Sequence, residues 1–383
     1  MRTVSAAVEE GGPVDFATAA RVVTATPDTR TQDTWDRFLA RTPDGSFRQS
    51  TAWARVKARQ GWHASRVVLR HGDEILGGAQ VLSKPLPGGP ITGRIAYCSH
   101  APLLREPDPV LATRILAQLR VWCRRQRVRA LVVQPPRGDQ AVGPLLDDLG
   151  CVPSPVPVAP RATVRLDLAP DLTTIEQRLG KSLRKHLRRA ARAGVTVRRG
   201  GRDDLATFHR LLVAAAARLD YAVFGRSYYE ALWDEFGHDV AIFLAEVHGV
   251  PVSAQLALVH GDTLHALAQG WDGSHGEAYP NDVIDWHVVA HAKTRGLRWY
   301  DLENLSLDVA ERLVAGVGTD RLTMNGSDRY KLKWGNDVVV FPQPRLYLPD
   351  PVVRRLGGRI PPSAVLAQAQ RLGARVRDLR GSA

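Results

Sequence analysis

One order of structural elements is written twice along this chain. Gly78-Ala79-Gln80-Val81-Leu82 answers Ser253-Ala254-Gln255-Leu256-Ala257 at an offset of 175, and Gln49-Ser50-Thr51-Ala52-Trp53 answers Arg226-Ser227-Tyr228-Tyr229-Glu230 at an offset of 177. A period this long is a duplicated α/β unit and not a solenoid repeat. Hydrophobic periodicity predicts, in the first copy, a strand at 21–24, helices at 33–41 and 50–59, strands at 65–70 and 75–82, a helix at 109–124 and a strand at 130–134. The second copy repeats them with a strand at 195–198, helices at 203–218 and 227–236, strands at 241–247 and 252–259, a helix at 283–295 and a strand at 298–302. Glycine turns at His71-Gly72-Asp73 and His248-Gly249 close the two hairpins. The order β-α-α-β-β-α-β predicts an α/β fold with a mixed sheet and helices on both faces. The proline-rich stretch 151–160 reads as a linker, which gives units at 19–158 and 159–340. Residues 1–18 read as a flexible leader. Residues 341–383 read as a strand and a basic helix, with an apolar stripe at Leu366, Leu372, Val376 and Leu379, packing back on the first unit.

Composition narrows the classes. Hydrophobic residues at 44% and charged residues at 24% suit a chain with a full core, not a disordered one. No apolar run reaches the roughly 18–20 residues of a bilayer span. Three scattered cysteines, Cys98, Cys123 and Cys151, make neither a disulfide framework nor a CxxC metal site. With Glu9 and Glu10 near the start and no apolar h-region, the expected compartment is cytoplasmic. A monomer is expected.

Charge points to an anionic partner. Lys and Arg number 52 against 39 Asp and Glu, a net charge of +13. The excess is concentrated between Gln177 and Arg202, which holds no acid and includes Lys181, Arg184, Lys185, Arg188, Arg189 and Arg192. Thr173 and Glu176 form a capping-box pattern, Leu179, Leu183, Leu187 and Ala190 make an apolar stripe, and Gly194 is a stop signal. The reading is a helix anchored by one face that offers the other to phosphates of a nucleic acid or an anionic lipid. A merely solvated basic face has the same letters.

Lysine is rare, seven among the 52 cations, so its positions are informative. Lys57 follows Trp53 by one helical turn; Arg226 opens a helix beside Phe224, Tyr228 and Tyr229; Lys331 and Lys333 interleave with Tyr330 and Trp334. A lysine between aromatic walls suits stabilisation of an oxyanion, and a strand with alternating faces would produce the same pattern. Ser182-x-x-Lys185 lacks the companion motifs of penicillin-recognising enzymes, and His287 and His291 lack the glutamate of a zinc protease. No metal site is expected. No Walker loop, no GxGxxG and no clean coenzyme A loop occur; Gln177-x-x-Gly180-x-Ser182 is a near miss.

Taken in order, Gln49…Trp53…Lys57…Gly61-Trp62, Gly77-Gly78-Ala79-Gln80, Tyr97, Leu183-Arg184…Arg188-Arg189…Gly194-Val195, Arg226…Tyr229, Trp286…Lys293…Tyr300-Asp301 and Tyr330-Lys331-x-x-Trp334-Gly335 resemble the Fem family over about residues 28–345. These are aminoacyl-tRNA-dependent transferases that build interpeptide bridges on peptidoglycan precursors. The resemblance implies a tandem pair of GNAT-like N-acyltransferase domains. It implies that Lys57 and Arg226 grip a pyrophosphate, that Tyr97 and Tyr229 line the substrate channel, and that Lys331, with Tyr330 and Trp334 around it, stands near the reacting ester. The family's usual Pro-Arg-Gly-Pro is here Ser99-His100-Ala101-Pro102, followed by Arg105 where an acid is common. The expected activity moves an amino acid, glycine as first choice, from aminoacyl-tRNA to a side-chain amine of a lipid-linked cell-wall precursor at the inner membrane surface. No cofactor is expected beyond that co-substrate. The alternatives are a tRNA-dependent enzyme of peptide-antibiotic synthesis, a coenzyme A-dependent N-acyltransferase, and a basic RNA- or membrane-binding module with a vestigial cleft.

Overall fold

The computed structural model describes residues 21–25, 29–42, 44–87, 92–138 and 141–350. The first unit runs β1 (Arg21–Ala25), α1 (Thr29–Arg41), α2 (Thr51–Ala58), β2 (His63–His71), β3 (Glu74–Pro85), β4 (Arg94–Ser99), β5 (Leu103–Leu104), α3 (Pro109–Arg125) and β6 (Val128–Gln134). A joining stretch holds α4 (Val142–Asp148), β7 (Val152–Pro153), β8 (Ala162–Asp167), α5 (Leu172–Arg178) and α6 (Lys181–Arg192). The second unit runs β9 (Thr196–Gly200), α7 (Leu205–Leu219), α8 (Arg226–Phe236), β10 (Val240–Val247), β11 (Val250–His260), β12 (Thr263–Trp271), α9 (Pro280–Thr294) and β13 (Trp299–Asp301). The elements α10 (Leu307–Val314), α11 (Gly326–Lys331), β14 (Asp337–Val340) and β15 (Arg345–Tyr347) follow.

Each unit forms its own mixed sheet, and in both the last two strands of the repeat, β4 with β6 and β12 with β13, pair in parallel across a helix. The order is therefore β-α-α-β-β-β-α-β, one strand per unit more than periodicity gave. Those extra strands, β4 and β12, lack clean alternation: most of β12 is half-buried. Thr51 and Arg226 both stand at the first position of a helix, a spacing of 175, as for Gln80 and Gln255. The repeat is thus in register from helix to hairpin, and the sequence pairing of Gln49 with Arg226 was two residues out.

Local chemistry sets the helix ends. The Ser50 hydroxyl accepts from Trp53 N–H and caps α2, and Asp108 accepts from Val110 and Leu111 N–H ahead of Pro109 in α3. The expected basic helix is two helices. Asp171, not Thr173, caps α5 by accepting from Thr174 N–H, and the extended backbone at Leu179 and Gly180 breaks the run before α6. The stretch 151–160 is also more than a linker, since β7 pairs with β15 at the edge of the first sheet.

The units are interlocked. β15 pairs with β6 of the first sheet, while β8 pairs with β13 and β14 in the second. Phe47, Trp53, Val56 and Leu82 of the first unit share one apolar cluster with Leu211, Tyr229, Leu232 and Phe236 of the second. Phe47 meets Trp53 and Phe236 edge-on at 5.5 and 6.3 Å between centroids. Arg59 reaches Asp234 at 3.0 Å and Glu235 at 2.7 Å at the rim of this contact. The expected leader and C-terminal helix, residues 1–18 and 363–379, lie outside the described residues.

Candidate active site

β12 and β13 pair only from Thr263–Trp299 to His265–Asp301, and beyond this the strands part. β12 continues to Trp271, while the chain after β13 bends toward β8, with Leu302 N–H donating to Val164 O at 3.0 Å. At the bend Glu303 and Asn304 both hold φ of 50°, the left-handed region that side chains resist. Lys331 Nζ donates to the carbonyls of both residues, at 2.7 Å each. Lys331 ends α11, which Asn325 caps by accepting from Asp328 N–H. Asp328 is buried and accepts from Ser306 N–H at 3.1 Å, which ties α11 to the loop leaving β13. Burial pulls the Lys331 ammonium below its ordinary pKa, while Asp328, Glu303 and Asp301 oppose that shift. The site is a half-buried ammonium aimed by two carbonyls at the mouth of parting strands.

A buried polar network supports it. Tyr330 and Tyr300 hydroxyls both donate to Asp285, and Gln255 Nε2 donates to it at 2.8 Å. Burial raises the Asp285 carboxyl to about 6 against the pull of these three donors. Tyr330 is thereby fixed as a brace behind Lys331.

Glu303 also joins the two units. Its carboxylate accepts from Arg48 of the first unit at 2.8 Å and lies 2.9 Å from His265 Nδ1. Burial alone would raise its pKa, but the Arg48 guanidinium and His265 hold it well below the carboxylate range. Asp301, beside it, is pushed up by burial and by the Glu303 charge, and accepts from the Thr163 hydroxyl. A cavity of about 460 Å³ lies here, lined among others by Arg48, His100, Arg165, His265, Asp301 and Glu303. The donor atoms of His265, Asp301 and Glu303 fall within 4.8 Å of one another and are the residues able to hold a cation. Arg48 and Thr163 already serve the two carboxylates. Sequence reasoning missed Arg48, His265 and Glu303. Arg48 lies in a turn before α2, His265 on β12 and Glu303 in the bend after β13, so no single periodicity marks the three.

The other residues singled out from sequence fall into three groups. Lys57 Nζ sits over the rings of Trp53, Tyr228 and Phe224 at 4.8, 5.5 and 5.6 Å and donates to Gln60 at 2.9 Å. Tyr97, near the end of β4, packs edge-on against Trp62 at 4.8 Å, and burial raises its phenol. Burial raises the Tyr228 phenol as well. Arg226 starts α8, is largely exposed and pairs with Glu230 one turn on at 3.0 Å. Tyr229 and Trp334 are buried, 5% and 3% exposed, Tyr229 in the apolar cluster shared by the two units and Trp334 in the core of the second. Tyr228 is the tyrosine that faces Lys57.

On α6 the apolar side is buried at Leu183 and Ala190, and Lys181, Lys185, Arg188, Arg189 and Arg192 are exposed, with Arg184 half-buried. Among the described residues none of these six has an acidic partner within 4.0 Å, whereas Arg198 and Arg202 nearby are paired with Asp204, Glu246 and Asp234.

Two interlocked units of one repeat, each with a parallel strand pair, the second of which parts beyond His265–Asp301, define a tandem GNAT-fold protein. The GNAT acetyltransferase domain model matches residues 177–331, and the FemAB family model matches residues 30–142. The chain is 25% identical over 238 residues to the lipid II:glycine glycyltransferase of Staphylococcus saprophyticus, covering 59% of this chain and 57% of that one. It is 25% identical over 229 residues to the Staphylococcus haemolyticus protein of the same name, covering 57% and 54%. The chain thus spans little more than half the length of these relatives. The crystal structure of FemX superposes with a TM-score of 0.72 at 18% identity, over 87% of this chain and 99% of FemX. A tandem GNAT protein from the clavulanic acid biosynthesis pathway gives 0.51 at 13% identity over 87% and 99%. In these matches the chain is similar to Fem-family proteins.

Proposed function

We propose that this protein is an acyltransferase that moves an amino acid, glycine as first choice, from aminoacyl-tRNA to the side-chain amine of a lipid-linked peptidoglycan precursor. The observation that carries the reading is the Lys331 ammonium held by the Glu303 and Asn304 carbonyls where β12 and β13 part. An aminoacyl ester is already activated, so the protein has to supply alignment and positive potential at the oxyanion formed when the amine attacks. Lys331 supplies that potential, Tyr330 braces it, and Lys57 with Arg226 hold the precursor's phosphates. The unpaired cations of α6 hold the RNA backbone. Staphylococcal relatives named for glycine transfer on lipid II support this substrate class.

The donor brings its own activation, so no further cofactor is invoked. No helix among the described residues is long and apolar enough to cross a membrane. The lipid-linked acceptor then places the protein, as a peripheral monomer, at the cytoplasmic face, with its net charge of +13 toward anionic headgroups.

The test is incubation of the full chain with charged total tRNA and lipid-linked precursor, with and without ribonuclease. The expected result is a precursor mass increased by one amino acid, lost on ribonuclease treatment. Transfer that needs acetyl coenzyme A and survives ribonuclease would replace this reading with a coenzyme A-dependent one. Product formed only on a small peptide acceptor would replace the acceptor.

A further inference from the structure

A second constellation lies on the helix carrying the unpaired cations. Ser182 and His186 are one turn apart on α6, with Ser182 Oγ 3.2 Å from His186 Nε2. His186 Nδ1 is 2.7 Å from Asp282 Oδ2, in the first turn of α9. The imidazole lies flat on the Tyr279 ring, 3.7 Å between centroids and 5° between planes. Tyr279 takes a left-handed φ of 53° at the start of α9, which sets this ring against α6. The His186 and Asp282 side chains are 13% and 5% exposed, while Ser182 is open to solvent.

Roles follow from the hydrogen bonds. Asp282 accepts from Nδ1–H, which leaves the Nε2 lone pair facing the Ser182 hydroxyl. The order nucleophile, base and orienting carboxylate is that of an activated serine. The first helical bond of α6 runs from Arg184 N–H to Gly180 O at 3.2 Å, so the amides of Lys181, Ser182 and Leu183 stand outside the ladder. Gly180 offers no capping side chain to occupy them. These donors, with Lys181 and Lys185 beside them, suit an oxyanion formed at Ser182.

We propose that Ser182, His186 and Asp282 form an esterolytic site, distinct from Lys331, whose substrates are carboxylic esters carried on phosphate-bearing alcohols. Ser182 Oγ attacks the ester carbonyl and its proton passes to His186 Nε2. The tetrahedral adduct collapses, the carbon–oxygen bond to the alcohol breaks, and the departing oxygen takes the proton from Nε2. The acyl group remains on Oγ as a new ester. Water then attacks that ester, gives its proton to Nε2, and Oγ leaves with that proton, so ester and water become acid and alcohol. The cations at Lys181, Arg184, Lys185 and Arg188 select the phosphate-bearing leaving group. If that alcohol is the 3′ end of a charged RNA, the site discharges the donor of the transfer reaction.

The test treats the full chain with a fluorophosphonate probe, locates the adduct by peptide mass spectrometry, and follows hydrolysis of 3′-O-acetyl adenosine 5′-monophosphate. The expected result is an adduct on Ser182. Labelling and hydrolysis should fall about 10²-fold or more in His186→Ala and be lost in Ser182→Ala. The Lys331→Ala variant should label as the parent does, so this site and the transfer site fail separately. The readout on the unaltered chain stands even if a His186 variant does not fold. No adduct on Ser182, labelling indifferent to His186, or hydrolysis that survives Ser182→Ala overturns the proposal.

Discussion

Lys331 Nζ and the main-chain carbonyl of Glu303 lie 2.7 Å apart, and that carbonyl is aimed by a left-handed backbone at a residue that is not glycine. Strain of this kind persists where the surrounding structure over-determines it. Here the Glu303 side chain is pinned by Arg48 and His265, while its carbonyl pins Lys331. Lys331→Ala is expected to lower the transfer rate constant by about 10²–10³-fold, with circular dichroism and precursor affinity close to the parent. Asn304→Val, which puts a β-branched side chain at φ of 50°, should cost about 1–3 kcal/mol in urea unfolding and lower transfer as the second carbonyl moves.

Removing the charge of Glu303 leaves the Arg48 guanidinium, 12% exposed, without its anion. Breaking a buried pair from one side costs about 3–5 kcal/mol. Glu303→Gln should therefore unfold at markedly lower urea than the parent. Combining it with Arg48→Met should recover part of the loss, which a double-mutant cycle reads directly.

The contact between units divides unequally between its rim and its centre. Phe47 is 1% exposed and packed on Trp53 and Phe236, so Phe47→Ala should cost about 3–5 kcal/mol. Arg59 is 46% exposed, and Arg59→Ala should cost less than about 1 kcal/mol despite losing two short ion pairs. Equal losses from the two changes would refute this division.

His100 gives the fold an acid-labile point. It is 5% exposed and burial pushes its pKa down to about 3, from an ordinary 6.5. The native state therefore holds it neutral while the unfolded chain protonates it. Its contribution is intact above about pH 6.5 and is lost as pH falls from there toward 3. The midpoint of urea unfolding should fall over this range. His100→Asn, which tolerates the left-handed φ of 51° at this position, should flatten the decline.

The cations of α6 predict a salt dependence. If Lys181, Lys185, Arg188 and Arg192 each neutralise one phosphate, replacing any of them by Gln lowers the slope of log affinity against log salt for RNA by about 0.7–0.9. Replacing the already paired Arg202 should leave that slope unchanged.

Much of this was legible in the chain. The duplication was, because each copy needs the same hairpin and helix stripes to bury one face of one sheet. So was the basic face from Lys181 to Arg192, which needs only its 3.6-residue stripe. The weakly patterned strands β4 and β12 were not, because half-buried strands lose alternation. The break at Gly180 and the choice between Tyr228 and Tyr229 also depended on which side each backbone turned. Arg48, His265 and Glu303 are separated by up to 255 residues along the chain and meet only when the two units close on each other. Local pattern determines which face of each element is buried; which side chains meet across two such faces is decided by packing between elements remote in sequence.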